Sequence, residues 1–251
     1  AASASWSRRF CVEAVSFRDG IFLIGGGITN RNGFREVWRS TDGGSKWDLV
    51  AQPAFPAQRG MGLVVHKDPK RAQASLYTFG GYGGTDNGGY GATAWRSDDG
   101  VSWELIQQTC AWANPSVRSW GIGRAWSGVV SHRGALFLLG GWHHFDGPHK
   151  NDVWRSSDGV TWEQVLASAP WPRTRAHGSV VSVGEHMYLL GGAGYDQNTM
   201  DGQHVQARYA AFSDVWRSRD GVEWEKVGGA PPWPAEEVSE CGTSALAHAR
   251  G

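Results

Sequence analysis

DVWRSSDGVTWEQV, residues 152–165, decides the fold, because the same phrase stands at three other places: EVWRSTDGGSKWDLV at 36–50, TAWRSDDGVSWELI at 93–106 and DVWRSRDGVEWEKV at 214–227. The two halves of the phrase alternate with period two and are joined by Asp-Gly, a strong hairpin signal. An apolar run ending in a double glycine precedes each copy: IFLIGG, LYTFGG, LFLLGG and MYLLGG. Upstream of each double glycine lies an element that opens with arginine, seen in RFCVEAV, RGMGLVV, RAWSGVV and RAHGSVV. The first Trp of the phrase falls at 38, 95, 154 and 216, which sets a unit of 57 to 62 residues. That period is too long for helical repeats.

Each unit predicts four strands. In the last unit they cover 178–183, 187–190, 215–218 and 224–227. The first is small and apolar, as a strand crowded against a central axis must be. The second is continuously apolar, which suits burial on both faces. The third and fourth form the hairpin, and no segment sustains a 3.6-residue period. Four antiparallel strands per unit, repeated, indicate an all-β chain folded as a β-propeller, where radial repetition leaves only short, protected edges.

The double glycine after an apolar strand, the aromatic on the third strand and the Trp seven or eight residues after the turn begins resemble the kelch repeat, in four copies over nearly the whole chain. The resemblance implies one domain over 1–251, with four complete kelch-like blades at about 8–50, 58–106, 123–165 and 174–227 and the first strand of a fifth at 238–248. The turn Ser40-Thr-Asp-Gly-Gly-Ser-Lys-Trp47 also fits the Asp-box pattern of sialidase-like propellers, and the other three turns are one residue shorter and fit it loosely. Trp6 in ASWSR matches Trp171 in APWPR and Trp233 in PPWPA, so the chain opens in a linker. Four blades and an orphan strand predict a slice of a larger propeller of about six or seven blades, or a ring completed by another chain.

Composition agrees with this reading and excludes others. The 36 Gly and 15 Trp are mostly a repeat unit counted four times. There is no Gly-X-Y period, and the tryptophans are too many for a disordered linker. No run of eighteen apolar residues is present to span a bilayer as a helix. With 24 basic and 24 acidic residues the formal charge is zero, without the basic excess of a nucleic-acid binder. Cys11, Cys110 and Cys241 form no CxxC pair, so structural zinc lacks support and reduced thiols in a reducing compartment are favoured. No cofactor is implied.

Residues repeated in every copy have structural roles. Asp42, Asp99, Asp158 and Asp220 accept hydrogen bonds from amides of their own turns. Trp47, Trp103, Trp162 and Trp224 fill the wedge between blades, and Trp6, Phe55, Trp112 and Trp171 recur in the linkers. Function is therefore sought where the copies differ. The loops joining strands two to three, and four to the next blade, emerge on one face. That face holds the long insertions 107–123 and 193–213, together with Tyr82, Tyr90, Trp142, His143, His144, His149 and Tyr195. The basic loop 66–75 lies on the opposite face and is a solvated hairpin.

Arg9, Arg59, Arg124 and Arg175 open the innermost strands at equivalent positions, and a cluster of guanidinium groups there would grip carboxylates. In kelch propellers that bind acidic peptides, arginines at this strand start line the pocket. The resemblance thus implies a non-enzymatic interaction module or assembly subunit. Its expected partner-binding residues are Arg9, Arg59, Arg124, Arg175, Tyr82, Trp142, His143 and Tyr195, and its expected partner is a protein that offers an acidic segment. Carbohydrate binding is the alternative from another class, though only Trp120, Trp126 and Trp142 fall outside the repeated positions. A sialidase-like enzyme needs a Tyr nucleophile paired with a Glu, which the sequence does not assign. A copper oxidase needs Tyr, Cys and two His together, and Cys11 and Cys241 lie at innermost strands. His143, His144, Asp146 and His149 offer metal-type donors on a short loop, and Asp196, Asn198 and Asp201 miss the spacing of a calcium loop.

Overall fold

The computed structural model describes residues 4–28, 33–83, 89–116, 121–143, 150–171, 178–195 and 209–228. Among them there are strands and turns and no helix. The first blade is β1 (Glu13–Phe17), β2 (Gly20–Ile24), β3 (Val37–Ser40) and β4 (Asp48–Ala51). The second is β5 (Gly62–His66), β6 (Ser75–Phe79), β7 (Ala94–Ser97) and β8 (Glu104–Gln107). The third is β9 (Gly128–His132), β10 (Ala135–Leu139), β11 (Val153–Ser156) and β12 (Glu163–Leu166). In the fourth unit β13 (Ser179–Val183) and β14 (His186–Leu190) are followed by a side ribbon, β15 (Ala193–Tyr195) with β16 (Tyr209–Ala211). The blade then resumes with β17 (Val215–Ser218) and β18 (Trp224–Lys226). Every blade is antiparallel with its strands in chain order, so these four sheets form a four-bladed propeller arrangement. The expected strand at 238–248 and Trp233 lie outside the described residues.

The turns show why the hairpin phrase recurs. Ser156 donates to Asp158 Oδ1 at 3.1 Å, the amides of Val160 and Thr161 donate to the same oxygen, and the Gly159 amide donates to Ser156 Oγ. Equivalent bonds close the turns at Asp42, Asp99 and Asp220. The three shorter turns therefore make the same network as the full Asp-box. The turn glycine sits in the left-handed region at Gly100, Gly159 and Gly221, and its carbonyl accepts from the indole Nε1 of Trp103, Trp162 or Trp224.

Each blade has a forward face toward the next blade and a rear face toward the previous one. Three apolar clusters fill the three interfaces. Phe17, Phe22 and Ile24 meet Leu76, Trp95 and the linker Phe55 between blades one and two. Tyr77 and Phe79 meet Leu136, Leu138, Trp162 and the linker Trp112 between two and three. Phe137 and Leu139 meet Met187, Leu189, Trp216, Trp224 and the linker Trp171 between three and four. Linker aromatics pack edge-on against the hairpin tryptophans, as Trp171 does on Trp224 at 5.0 Å and Trp6 on Trp47 at 4.4 Å.

Near the axis there is room for little. A Cβ on Gly62 or Gly128 would stand 2.3 or 2.4 Å from Val129 or Val180 of the next blade, so glycine is required at these two positions. Just before these strands, Cys11, Gly60 and Trp126 all have positive φ. The Gly60 amide donates to Cys11 O and the Trp126 amide to Gly60 O, an arc of backbone bonds that steps from blade to blade.

Candidate functional site

The loop-rich mouth is built on these strand starts. Arg124 is only 4% exposed, and its guanidinium holds Asp152 through two bonds, 2.7 and 3.1 Å, while donating to Gly140 O and Trp112 O. The Trp154 indole donates to the same carboxylate. Arg9 repeats the plan with Glu36 at 2.7 Å, Gly25 O and the Trp38 indole. Both arginines thus turn into their own blades, where an acid two residues before the hairpin Trp receives them. They serve as a brace between inner strand, double-glycine turn and third strand, and their charge is met internally.

Blade two departs from this plan. Thr93 stands where Glu36 and Asp152 stand, and its hydroxyl accepts from the Trp95 indole. The expected equivalence of Arg59 with Arg9 and Arg124 does not hold: Gln58 stands at their place, and Arg59, one residue on where Phe10 and Ala125 stand, lies among rings, its guanidinium carbon 4.8 Å from the Tyr82 ring and 5.3 Å from Phe10. It is as buried as Arg124, and burial lowers its pKa from the ordinary arginine value. Arg175 lies outside the described residues.

The aromatic residues singled out on this face form one cluster. Tyr82 and Tyr90 meet at 4.9 Å, Tyr82 stacks on Trp126 at 6.0 Å, Trp126 meets Trp142 at 5.4 Å, and Tyr90 meets His143 at 4.6 Å. Tyr90 and His143 are buried beneath, while Tyr82, Trp126 and Trp142 are half-buried and form the upper layer. The His143 Nε2 bonds Gly121 O at 2.7 Å, so that nitrogen carries the proton. His144, Asp146 and His149 lie outside the described residues, as do Asp196, Asn198 and Asp201, and among the described residues no group of three His, Cys, Asp or Glu could hold a metal ion. Tyr195 pairs with Tyr209 through the backbone of the side ribbon.

Trp126 and Glu13 carry information that the repeat pattern hid. Trp126 has φ 56°, where Gly60 serves in blade two. A bulky side chain in that region costs about 1–3 kcal/mol. Its indole roofs Gly60, whose Cβ would lie 2.4 Å from it. Glu13 occupies the place of Gly62 and Gly128, and burial raises its pKa to about 7. Aligning the four arginine-led segments by their double-glycine partners exposes both. Cys11 precedes β1 and is half-buried, whereas Cys110 is buried and its thiol is pushed up to about 12.

No family model matches this sequence, and no curated protein does. Solved structures do. The structure of YjhT matches with a TM-score of 0.70 at 16% identity, over 91% of this chain and 73% of that one. At that identity the likeness establishes a β-propeller fold and nothing finer.

Proposed function

We propose that this chain is a non-enzymatic, kelch-type binding module that takes a segment of a protein partner on its loop-rich face. The observation that carries the reading is the Tyr82–Tyr90–Trp126–Trp142 cluster, a rigid aromatic floor at the mouth with Arg59 held against it. Large aromatics with an adjacent arginine are the residues in which interface energy concentrates. Arg9 and Arg124 have their charge met by Glu36 and Asp152, so the contact with a partner rests on the aromatic rings. A partner recovered by affinity purification, identified and then titrated in pure form, tests this. Trp126→Gly and Arg59→Ala should each raise Kd at least about tenfold, with the near-ultraviolet circular dichroism of the core tryptophans retained. An unchanged Kd in both variants overturns the reading.

The half-buried upper rings of Trp126 and Trp142 favour a second reading, stacking against sugar rings. A glycan array in which binding depends on Trp142, together with no protein partner, decides for it.

A further inference from the structure

Each hairpin turn carries an Asp-Gly bond: Asp42-Gly43, Asp99-Gly100, Asp158-Gly159 and Asp220-Gly221. Such a bond can rearrange without any other reactant than water. The glycine amide nitrogen attacks the aspartate Cγ, a side-chain oxygen leaves as water, and a cyclic imide, the succinimide, forms. Water then opens that ring at either carbonyl, returning aspartate or giving isoaspartate. The net change is an isomerisation, with nothing oxidised or reduced. A folded turn permits it only where the glycine N–H is uncommitted and the chain has room to close the ring.

In three of the turns that glycine is taken. The Gly100 amide donates to Ser97 Oγ at 2.8 Å, Gly159 to Ser156 Oγ at 2.9 Å and Gly221 to Ser218 Oγ at 2.8 Å. All three glycines are buried, against Phe22, Tyr77 and Phe137 of the preceding blade. The turn of blade one has one residue more, Ser40-Thr41-Asp42-Gly43-Gly44-Ser45. There Gly44 makes the bond to Ser40 Oγ, at 2.9 Å, and so holds the place of Gly100, Gly159 and Gly221. Gly43, which follows the aspartate, is pushed out of the network. It is exposed, its amide makes no hydrogen bond among the described residues, and a Cβ on it would meet nothing within 4 Å. The extra glycine sets this difference inside the turn, whatever lies beside the blade. The carboxyl end is alike in all four turns, since each aspartate Oδ1 accepts from two amides and a serine hydroxyl. At Asp42 the bonds from Lys46, Ser40 and Ser45 hold the carboxyl below its ordinary pKa. The protonated form that loses water is therefore scarce, and the conversion is slow.

We propose that Asp42-Gly43 is a site of spontaneous modification, converting through the succinimide to isoaspartate while the Asp-Gly bonds at 99, 158 and 220 are protected by the fold. Isoaspartate at 42 routes the main chain through the former side chain and takes Oδ1 away from the Ser45 and Lys46 amides. The turn that it loosens is the one whose Gly44 carbonyl holds the Trp47 indole at 2.9 Å.

Peptide mapping of the aged protein tests this. Trypsin cuts after Arg39 and Lys46 and releases residues 40–46 as one peptide. After incubation of the folded protein at physiological temperature and mildly acidic pH, this peptide should appear in a second form of equal mass, which electron-transfer fragmentation identifies as isoaspartate. The peptides holding Asp99, Asp158 and Asp220 should stay as aspartate. Deletion of Gly43 restores the spacing of the other turns and should stop the conversion, and a glycine inserted after Gly159 should start it at Asp158. In a digest aged as free peptides all four bonds should convert, because nothing then holds the glycine amides. Aspartate retained at 42 in the aged folded protein overturns the proposal, as does equal conversion in all four folded turns. So does conversion at 42 in a deletion variant that keeps its near-ultraviolet circular dichroism. Free peptides that differ as the folded turns do would trace the difference to local sequence, and overturn it equally.

Discussion

At the scale of single residues, a shift of one position changes what an arginine does. Arg124, four residues before Gly128, is locked to Asp152 in the interior, while Arg59, three residues before Gly62 at the place of Ala125, rests on Phe10 and Tyr82. Removing one partner of a buried ion pair strands the other charge. Arg124→Ala should therefore cost about 3–5 kcal/mol, read from the urea midpoint; a loss under about 1 kcal/mol would contradict the buried brace. The matching places of Arg9 and Arg124 were legible from the repeat, whereas the one-residue offset of Arg59 shows only in the strand register. The internal acids were not legible, because Glu36 and Asp152 only open the hairpin phrase and Thr93 breaks the series at that place, so only side-chain geometry pairs them with arginine. Glu13 gives a second test. Its folded pKa of about 7 lies above its ordinary value of 4.5, so the folded state holds the proton more tightly than the unfolded one. Its contribution is complete below pH 4.5 and is lost as pH rises toward 7. Glu13→Gln should remove that slope and raise stability at pH 8 by about 1–3 kcal/mol. A variant no more stable than the parent at pH 8 would show the carboxylate already solvated.

At the scale of the element, the hairpin turn is the unit on which the repeat is built. In Asp158 burial opposes ionisation, and the donated bonds from Thr161, Val160 and Ser156 outweigh it, so its pKa falls below the ordinary 3.8. The same balance holds at Asp99 and Asp220. Folded pKa values below the unfolded ones mean that this support is present above pH 3.8 and is lost as pH falls through the folded values. Asp158→Ala should cost about 1–2 kcal/mol by unmaking amide bonds, and Asp158→Asn, which keeps an acceptor oxygen, should recover most of it. Equal losses in the two variants would point to packing instead. Strand order, the hairpins and the linker aromatics were all readable before any coordinates, since period-two alternation and Asp-Gly report local chemistry. The arc through Cys11, Gly60 and Trp126 was not readable. A left-handed backbone usually declares itself by glycine, and here only one of the three positions has it.

At the scale of the molecule, the blades are joined by apolar wedges and by polar contacts such as those of His66 and His132. His132 bridges blade three to blade four, with Nε2 on Arg219 O at 3.2 Å and Nδ1 on Ser182 Oγ at 2.8 Å. A carbonyl only accepts, so Nε2 carries the proton, and in the neutral ring Nδ1 then accepts from the serine hydroxyl. Burial lowers its pKa from 6.5. The unfolded chain therefore takes up a proton at a pH where the folded chain does not. The contribution is complete above pH 6.5 and falls away as pH drops below it. This slope is opposite in sign to that of Glu13 over the same range, so the parent protein shows only their difference. Variants separate the two. His132→Phe copies Phe17, which fills the equivalent place between blades one and two. It should keep the wedge packed and abolish the histidine slope, leaving stability that declines monotonically from pH 4.5 to 7 through Glu13. Adding Glu13→Gln should then flatten the profile. Guanidinium unfolding at half-unit pH steps reads both, and a His132→Phe variant that still loses stability between pH 6.5 and 5 would assign the acid sensitivity to another group.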